Sequence, residues 1–589
     1  MKSRSTFPVQ AAAFFALALL VLTAAGLLAT GTVTAQAPVP TLVPPTLVPV
    51  VESGLVDALP SESTLARIRE SGQLRVGILY NEPPFGELNI RGDVSGFDAD
   101  LARAIGEAWG VEVIFDQVTR QTAIDMLTTG TVDILMAAQP HLRQLDSRVE
   151  FSHTYYPGQQ VMAVRQDDGA TVLGHMNDRK VGVVMNTRSE EAVSDWLNRS
   201  GQPVTVERFI NLDQALSALL TSEVDGVVGT RIRLTRAFPE AGTIRFLDEP
   251  VADEPLAIAM RRQDVNLRNL VNRTLQFFLS SGKLNEIHEL HFSGTDFPMN
   301  TLPVWANVGE EAPKPDQFGT DIPFPQQYVV PQIQNTSVVR VAGLNDVPED
   351  ADESVRRLDV VNRSLVEAMA ARWGARVEYI PNSQANALDL VASGQADMAV
   401  GVEPDWNWTD RVDFSQYYMI HGDRLMVRKN TEIEGFDGLR TEWVAFFESE
   451  VGARDRVYDL AESANVVLNG DFTIYNEEDA VFGMTAQENY DAVFGDSLKL
   501  VPHVQANPDV VRLTTGGEDA GWYSRHYLAL ALPRNDIDFR LLVDYTMQEL
   551  SREGALRTLV EPVMLAEEVP HLEIWPGPSD YLGYHLASG

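Results

Sequence analysis

The chain has 589 residues, with 46 Lys+Arg against 83 Asp+Glu, for a net charge of −37. So acidic a balance excludes a nucleic-acid partner, because a phosphate backbone would be repelled, and most of the charge reads as a solubilising surface. There is no cysteine, which excludes disulfides, thiolate metal sites and a thiol nucleophile, and the length exceeds what one hydrophobic core organises.

Lys2 and Arg4 precede an uncharged apolar run over residues 11–28, followed by small residues through Ala35. This is the order of a secretory signal cleaved after Ala35, and the run also spans a bilayer if left uncut. Residues 1–35 are therefore expected to be a signal peptide or an N-terminal membrane anchor. The membrane is touched only through this segment, and only if it stays uncleaved. The expected location is secreted, periplasmic or on the outer face of the cytoplasmic membrane. Residues 36–62 contain PTLVP twice, the composition of a semi-extended proline-rich linker.

The first globular unit, residues 63–295, opens with a short helix over 63–71 and a strand over 74–79. A loop stiffened by Pro83 and Pro84 then presents Tyr80, Glu82 and Phe85. Asp98 reads as the N-cap of a helix with Phe97, Leu101, Ile105 and Ala108 on one face. Further on come a strand over 180–185, a turn at Asn186-Thr187-Arg188-Ser189, and helices over 190–198 and 213–220. A strand at 226–228, another at 256–260 and a helix from Leu267 complete the unit. The alternation predicts an α/β fold of parallel strands flanked by helices, with one small lobe inserted into another and a cleft between them.

The stretch over residues 124–156 returns as 388–418. Gly130, Asp133 and Pro140 map onto Gly394, Asp397 and Pro404, and Val149, Phe151 and Ser152 onto Val412, Phe414 and Ser415. Trp109-Gly110 is answered by Trp373-Gly374, with Asn362 in the capping place of Asp98. The second unit is residues 336–568, followed by a C-terminal tail, 569–589. The proline-rich linker 296–335 is expected to dock in part through Trp305 and Phe324. Each unit carries its own hydrophobic pattern, so each is expected to fold alone.

The first unit holds LRVGIL, the PPF ending at Phe85, Gly96-Phe97-Asp98-x-Asp100-Leu101, GTVDILMAA, VEFSHTYY, KVGVVMNTRSE and FFLSSGKLNEIHELHF. Together these resemble family 3 of the extracellular solute-binding proteins, which feed amino-acid ABC importers. The second unit resembles the same family less closely, through ARWGARVEY, SGQADMAVG, DRVDFSQYY, YDAVFGDSLKL and YTMQELSREGALRTLVEPV. The resemblance implies two tandem periplasmic-binding-protein (Venus-flytrap) domains, each of two α/β lobes with a hinge and cleft that close on a solute. It implies a binding protein, not an enzyme, capturing a small polar solute (amino acid or amine-like) for an ABC-transporter permease, without a cofactor.

Carried over residue by residue, the binding site departs from the family pattern. The arginine that clamps the solute's carboxylate, six residues before the Phe of the Asp-Phe-Ser step, is Leu145 in one copy and Trp408 in the other. The threonine eleven before that Phe is Pro140 and Glu403. Arg143 either reaches in from upstream or is a solvent-facing loop arginine. The turn Asn186-Thr187-Arg188 stands where the family offers N–H groups to an anion, with Arg188 as a replacement clamp; the alternative is an ordinary capped helix. The ammonium-binding aspartate is Thr230 in the first copy and Asp496 in the second, where Asp496 is a counter-ion or a helix cap.

Glu82 and Asp346 are acids at the mouth of the first loop of each copy, and Tyr80, Phe85, Trp406 and Trp408 are candidate aromatic walls. An acid beside aromatic faces suits a cationic amine, unless the rings pack between lobes. Neither copy is then expected to bind a plain amino acid in the family pose. The second should take an amine against Asp496, with Trp406 or Trp408 on its apolar part. No metal-ligand spacing, nucleophile–base pair or phosphate loop stands out. The alternatives are a ligand-sensing receptor module and a dehydratase-like enzyme on the same fold, for which Glu82 is the candidate acid. Neighbouring permease and ATPase genes would mark an importer, and a kinase gene a sensor.

Overall fold

The computed structural model describes residues 63–577 apart from 239–241, 293–301, 345–346, 349–350, 382–386, 518, 567 and 571. The expected signal or anchor, the spacer after it and Asp346 lie outside the described residues.

In the first lobe of the first copy the strands run in the order Glu112–Gln117, Gln73–Ile78, Ile134–Leu135, Ala252–Arg261, Val149–Arg165. The last two are antiparallel and long enough to continue into the second lobe, so they form the hinge. There Val149–Arg165 pairs with Gly226–Thr230, and Lys180–Val184 and Thr205–Phe209 extend the sheet in parallel. Helices Phe97–Trp109, Val265–Ser280 and Lys283–Phe292 cover the first lobe, and Arg188–Ser200 and Leu212–Leu220 the second. The central strands are mostly apolar and buried, with Gln73 and Arg75 as polar positions on Gln73–Ile78, because helices cover both faces.

The second copy repeats the order strand for strand. Its first lobe runs Arg376–Tyr379, Val338–Ala342, Met398–Val402, His526–Pro533, Val412–Phe414. Its second lobe runs Gly470–Ile474, Trp443–Phe447, Ala492–Asp496, Asp423–Arg428, Val511–Leu513. The departure is at the hinge, where one long strand becomes Val412–Phe414, Met419–His421 and Asp423–Arg428. Gly422 makes the last break at φ 153, where a Cβ would lie 2.2 Å from the Ser524 carbonyl oxygen. Register fixes the correspondence between copies: Gln160 sits opposite Thr230, and Asp423 opposite Asp496.

Two expected caps are corrected. The helix Phe97–Trp109 follows Gly96, and Asp98 lies inside its first turn, accepting from the Ala138 N–H at 2.7 Å and the Tyr155 hydroxyl at 2.8 Å. Burial lifts the Asp98 carboxyl to about 6. In the second copy the helix spans Glu353–Arg372, so Asn362 is mid-helix and accepts from the Tyr418 hydroxyl at 2.5 Å. In both, a tertiary tyrosine partner outranks the local capping role. The aspartate of the repeated motif is structural as well: Asp133 and Asp397 accept at 2.7 Å from the backbone N–H of Arg75 and of Arg340 on the neighbouring strand.

The copies join through reciprocal contacts. Arg268 donates to Glu150 of its own copy at 2.7 Å and to Asp413 of the other at 2.5 Å, while Arg540 donates to Glu150 at 2.8 Å. Gln276 accepts from the Trp305 N–H and the Trp406 indole, both at 2.9 Å. Its counterpart Gln548 accepts from the Trp575 N–H at 3.1 Å and from Arg143 at 2.7 Å. Trp305 of the linker thus docks on Trp406 and Phe414 of the second copy, and Trp575 of the tail stacks on His141 of the first. Phe324, the other expected linker anchor, is 58% exposed.

Candidate functional site

In the first copy the stiff loop places Glu82 at the lobe edge, where its side chain is only 13% exposed. Arg120 of the same lobe donates to it at 2.9 Å. Arg233, on the helix Arg231–Ala237 of the opposite lobe, donates from Nη2 to both carboxylate oxygens at 2.6 and 2.7 Å. Tyr80 is half-buried, and burial with the Asp116 charge raises its hydroxyl pKa.

The second-lobe turn forms as its sequence demands. Asn186 adopts a left-handed φ of 57, and its N–H is taken by Glu190 at 2.7 Å. Thr187 donates back to the Val184 carbonyl at 2.6 Å. The Arg188 Nε lies 3.0 Å from Glu254 on the hinge, and its Nη1 meets Glu191. Glu254 and Ser189 both bond to Gln160, so Arg188 belongs to a hinge-side network. Thr230 precedes the helix Arg231–Ala237 without a side-chain cap bond.

Two first-copy assignments are corrected. Phe85 is buried in the first-lobe core against Tyr156, Phe292 and Phe97, because the loop turns its ring inward. Arg143 is fully buried between the copies, bonded to Gln548 and Glu549 and lying over the Tyr545 ring. Leu145, in the family's clamp position, packs into an apolar cluster with Ile124.

The second cleft is filled by its own side chains. One oxygen of Asp496 caps the Leu498 N–H at 2.8 Å and the other meets His421 Nδ1 at 2.7 Å. Glu403 pairs with His526 Nδ1 at 3.1 Å and lies 3.8 Å from His421 Nε2, and the two imidazoles stack at 5.2 Å. The chain Glu403–His526/His421–Asp496 therefore runs from the first lobe across the hinge to the second. Hydrogen bonding to Glu403 raises the His526 pKa against the effect of burial, and the same bond lowers that of Glu403. Burial pushes Asp496 up, but His421 outweighs it and leaves the carboxyl below its ordinary value. Burial drives the adjacent Glu450, which accepts from the Asp496 N–H, to about 7.

The expected amine site is thus corrected. Asp496 already holds a histidine and a helix end, Trp406 is buried between the copies, and Trp408 lies under the Arg411 guanidinium at 4.8 Å. His421 and His526 were missed by sequence reasoning. They occupy the places of Gly158 and Glu254 in the first copy, since each pair faces across the hinge. A cavity of about 1570 Å³ opens between the copies, lined by Tyr156, Arg231, Tyr417, Arg525 and Glu573. Among the described residues no group of three or more acids or histidines is arranged to hold a metal, and no helix is long and apolar enough to cross a membrane.

The sequence profile of the bacterial extracellular solute-binding proteins, family 3, matches residues 74–294 and 359–564. The chain belongs to this family. Among its relatives is the glutamine-binding protein of an ABC transporter from Bacillus subtilis, 26% identical over 232 residues that cover 39% of this chain and 84% of the relative. An L-arginine-binding protein from Pseudomonas aeruginosa is 26% identical over 233 residues, covering 37% of this chain and 88% of the relative. Among solved structures, an ancestral amino-acid-binding protein described as a precursor of cyclohexadienyl dehydratase is 29% identical, covering 39% of this chain and all of its own, with a TM-score of 0.33. As a family-3 protein the chain is a tandem of two flytraps, and its two clefts differ at the hinge.

Proposed function

We propose that the protein captures a small polar solute, an amino acid or an amine-like molecule, in its first flytrap, outside the cytoplasm, and hands it to the permease of an ABC importer. The second flytrap serves as the docking half. One observation carries this division. Glu403 and Asp496, the positions that family resemblance assigns to the solute's carboxylate and ammonium, are joined to each other through His526 and His421. Their counterparts in the first copy, Pro140 and Thr230, form no such pair. Relatives that bind glutamine and arginine support the solute class. A binding role is favoured over catalysis because Glu82, the candidate acid, is engaged by two guanidiniums.

The test is a thermal-shift and calorimetric screen of the chain from residue 63 against amino acids, polyamines and dipeptides. A solute that binds the closed native state raises stability by mass action, about 2.7 kcal/mol at a hundredfold excess over Kd. The response should persist in Asp496→Asn and weaken about tenfold in Arg188→Ala, which removes the hinge-side cation next to the first cleft. The opposite pattern would place capture in the second copy.

A further inference from the structure

The helix Arg231–Ala237 leaves the second lobe of the first copy and crosses to the first lobe. Its Ile232 packs against the core cluster that holds Phe85 and Phe292. Its Arg233 grips Glu82 in a side-on geometry, with Nε at 3.2 Å and Nη2 at 2.6 Å from one oxygen and Nη2 at 2.7 Å from the other. The second copy repeats the arrangement independently. Counting from the equivalent positions Thr230 and Asp496, Leu498 answers Ile232 and Lys499 answers Arg233. Leu498 packs on the first-lobe core of its copy. Lys499 reaches Asp352 at the edge of that lobe at 2.9 Å, together with Glu477 at 2.8 Å. Both flytraps therefore place one apolar side chain and one cation across the cleft from the same helix.

The two latches differ in what surrounds the acid. Lys499 is only 11% exposed and is shared between Asp352, Glu477 and Ser449, a closed set of partners. Arg233 is 51% exposed, while the carboxylate beneath it is largely sheltered. A sheltered carboxylate covered by a solvent-facing guanidinium is a cation subsite with a removable occupant: the half-exposed Arg233 loses little on leaving, Arg120 stays on Oε2, and Oε1 is left to a replacement cation.

We propose that Arg233 is a specificity-determining residue of the first flytrap: its guanidinium holds on Glu82 the place that the cationic end of a solute takes. A solute bearing a guanidinium or ammonium displaces Arg233 and is retained, and one with a neutral or anionic end leaves the latch in place. This rests on the reading that the first cleft is the one that captures solute.

The experiment is calorimetry on the chain from residue 63 with L-arginine, L-glutamine and L-glutamate as probes, in the wild type, Arg233→Ala, Glu82→Gln and the double variant. Removing a half-exposed competitor worth about 0.4–1 kcal/mol should tighten L-arginine binding roughly two- to fivefold in Arg233→Ala. L-glutamine should be unmoved, and Glu82→Gln should abolish the preference for L-arginine with or without Arg233. Weaker L-arginine binding in Arg233→Ala, or a wild-type preference for L-glutamate, would overturn the proposal by making Arg233 itself the solute's partner. Binding that is indifferent to both residues would overturn it while leaving first-copy capture standing. Absence of binding by any probe or by the wider solute screen would remove both.

Discussion

Arg268→Leu tests whether the two flytraps are held together by the charge network on their shared axis. Arg268 is 5% exposed, and its partners Glu150 and Asp413 are 2% and 3% exposed. In the variant Glu150 keeps Arg540 at 2.8 Å, but Asp413 loses its ion pair and keeps the Asn535 N–H at 2.8 Å and the more distant charge of Arg540. Stranding one partner of a buried pair costs about 3–5 kcal/mol, and since only one of two acids is stranded the lower end applies, about 3 kcal/mol. Asp413 belongs to the opposite copy, so the loss falls on docking. In urea the wild type should unfold in one transition and Arg268→Leu in two, with the double variant Arg268→Leu/Asp413→Leu costing less than the sum of its singles. The pH dependence has a definite sign. Burial raises the Asp413 pKa, but Arg268 and Arg540 outweigh it and hold the carboxyl below its ordinary value. A depressed folded pKa contributes stability that is present above the unfolded value, near 4, and lost as pH falls through the folded one. Without Arg268 the stranded Asp413 can take up a proton instead, so the gap between variant and wild type should narrow from pH 7 to pH 4. A cost below about 1 kcal/mol, additive and flat with pH, would refute the buried network and leave a solvated contact.

Two further predictions concern groups whose surroundings shift their ionisation. Asp544 accepts the Gln416 N–H at 2.8 Å, and burial drives its carboxyl to about 7, while Asn272 accepts the His153 N–H at 2.8 Å in the matching place of the first copy. A raised acid weakens the fold as pH climbs from its unfolded value near 4 to about 7, so Asp544→Asn should gain about 1–3 kcal/mol at pH 8 and little at pH 4, read from urea midpoints. His526 is raised by Glu403, so its contribution is complete below the unfolded value near 6.5 and is lost as pH rises through the folded pKa. NMR titration should find His526 titrating above 6.5, and His526→Gln should flatten the melting profile between pH 6 and 9; a His526 midpoint below 6.5 would break the proposed pairing.

The fold was legible because its signals are local and occur twice. Apolar runs of strand length, amphipathic helices and the glycine stops at Gly130 and Gly394 recur in one order, and sheet register then aligns Thr230 with Asp496 as the sequence suggested. The site was legible only in part. Glu82, Asn186, Thr187 and Arg188 lie at lobe and hinge edges, where loop chemistry predicts them. Arg143 and Trp406 failed for one reason: their partners, Gln548 and Gln276, lie in the other copy, 405 and 130 residues away, and no local pattern announces them. The stacked His421 and His526 were invisible for a similar reason, since only the pairing of Met419–His421 with His526–Pro533 brings them together. The long second-copy helix ran past its expected cap because Asn362 faces Tyr418 in the core.

The division of labour between the copies follows from where the chain keeps its internal symmetry. An interface between two like halves uses one surface twice, so residue i meets j of the partner and the partner's i meets j in return. That is the pattern here: Arg268 reaches Asp413 while Arg540 reaches Glu150, and Gln276 and Gln548 each tie a tryptophan-bearing segment to the other copy. The phenylalanine and serine of the repeated step are kept with it. Ser152 and Ser415 each accept from a hinge-strand N–H, of Ile258 and Leu530, at 2.9 and 3.0 Å. The same chemistry thus stands twice at the axis and beside it. In the clefts it does not: Gly158 faces Glu254 in one hinge, and His421 faces His526 in the other. Fusion into one chain is what permits this difference. In a dimer of identical chains, a substitution that fills one cleft fills both; in a tandem, one cleft can gain the paired-histidine bridge while its neighbour is crossed by the Glu82–Arg233 pair instead. The paired histidines then have a physical role without any ligand, since they hydrogen-bond Asp496 and Glu403 and bridge the two lobes of the second copy. A half so fixed presents a rigid surface to Trp305 on one side and supplies Trp575 to the first copy on the other. In the division of labour proposed above, the first flytrap opens and closes against a second one held by these contacts.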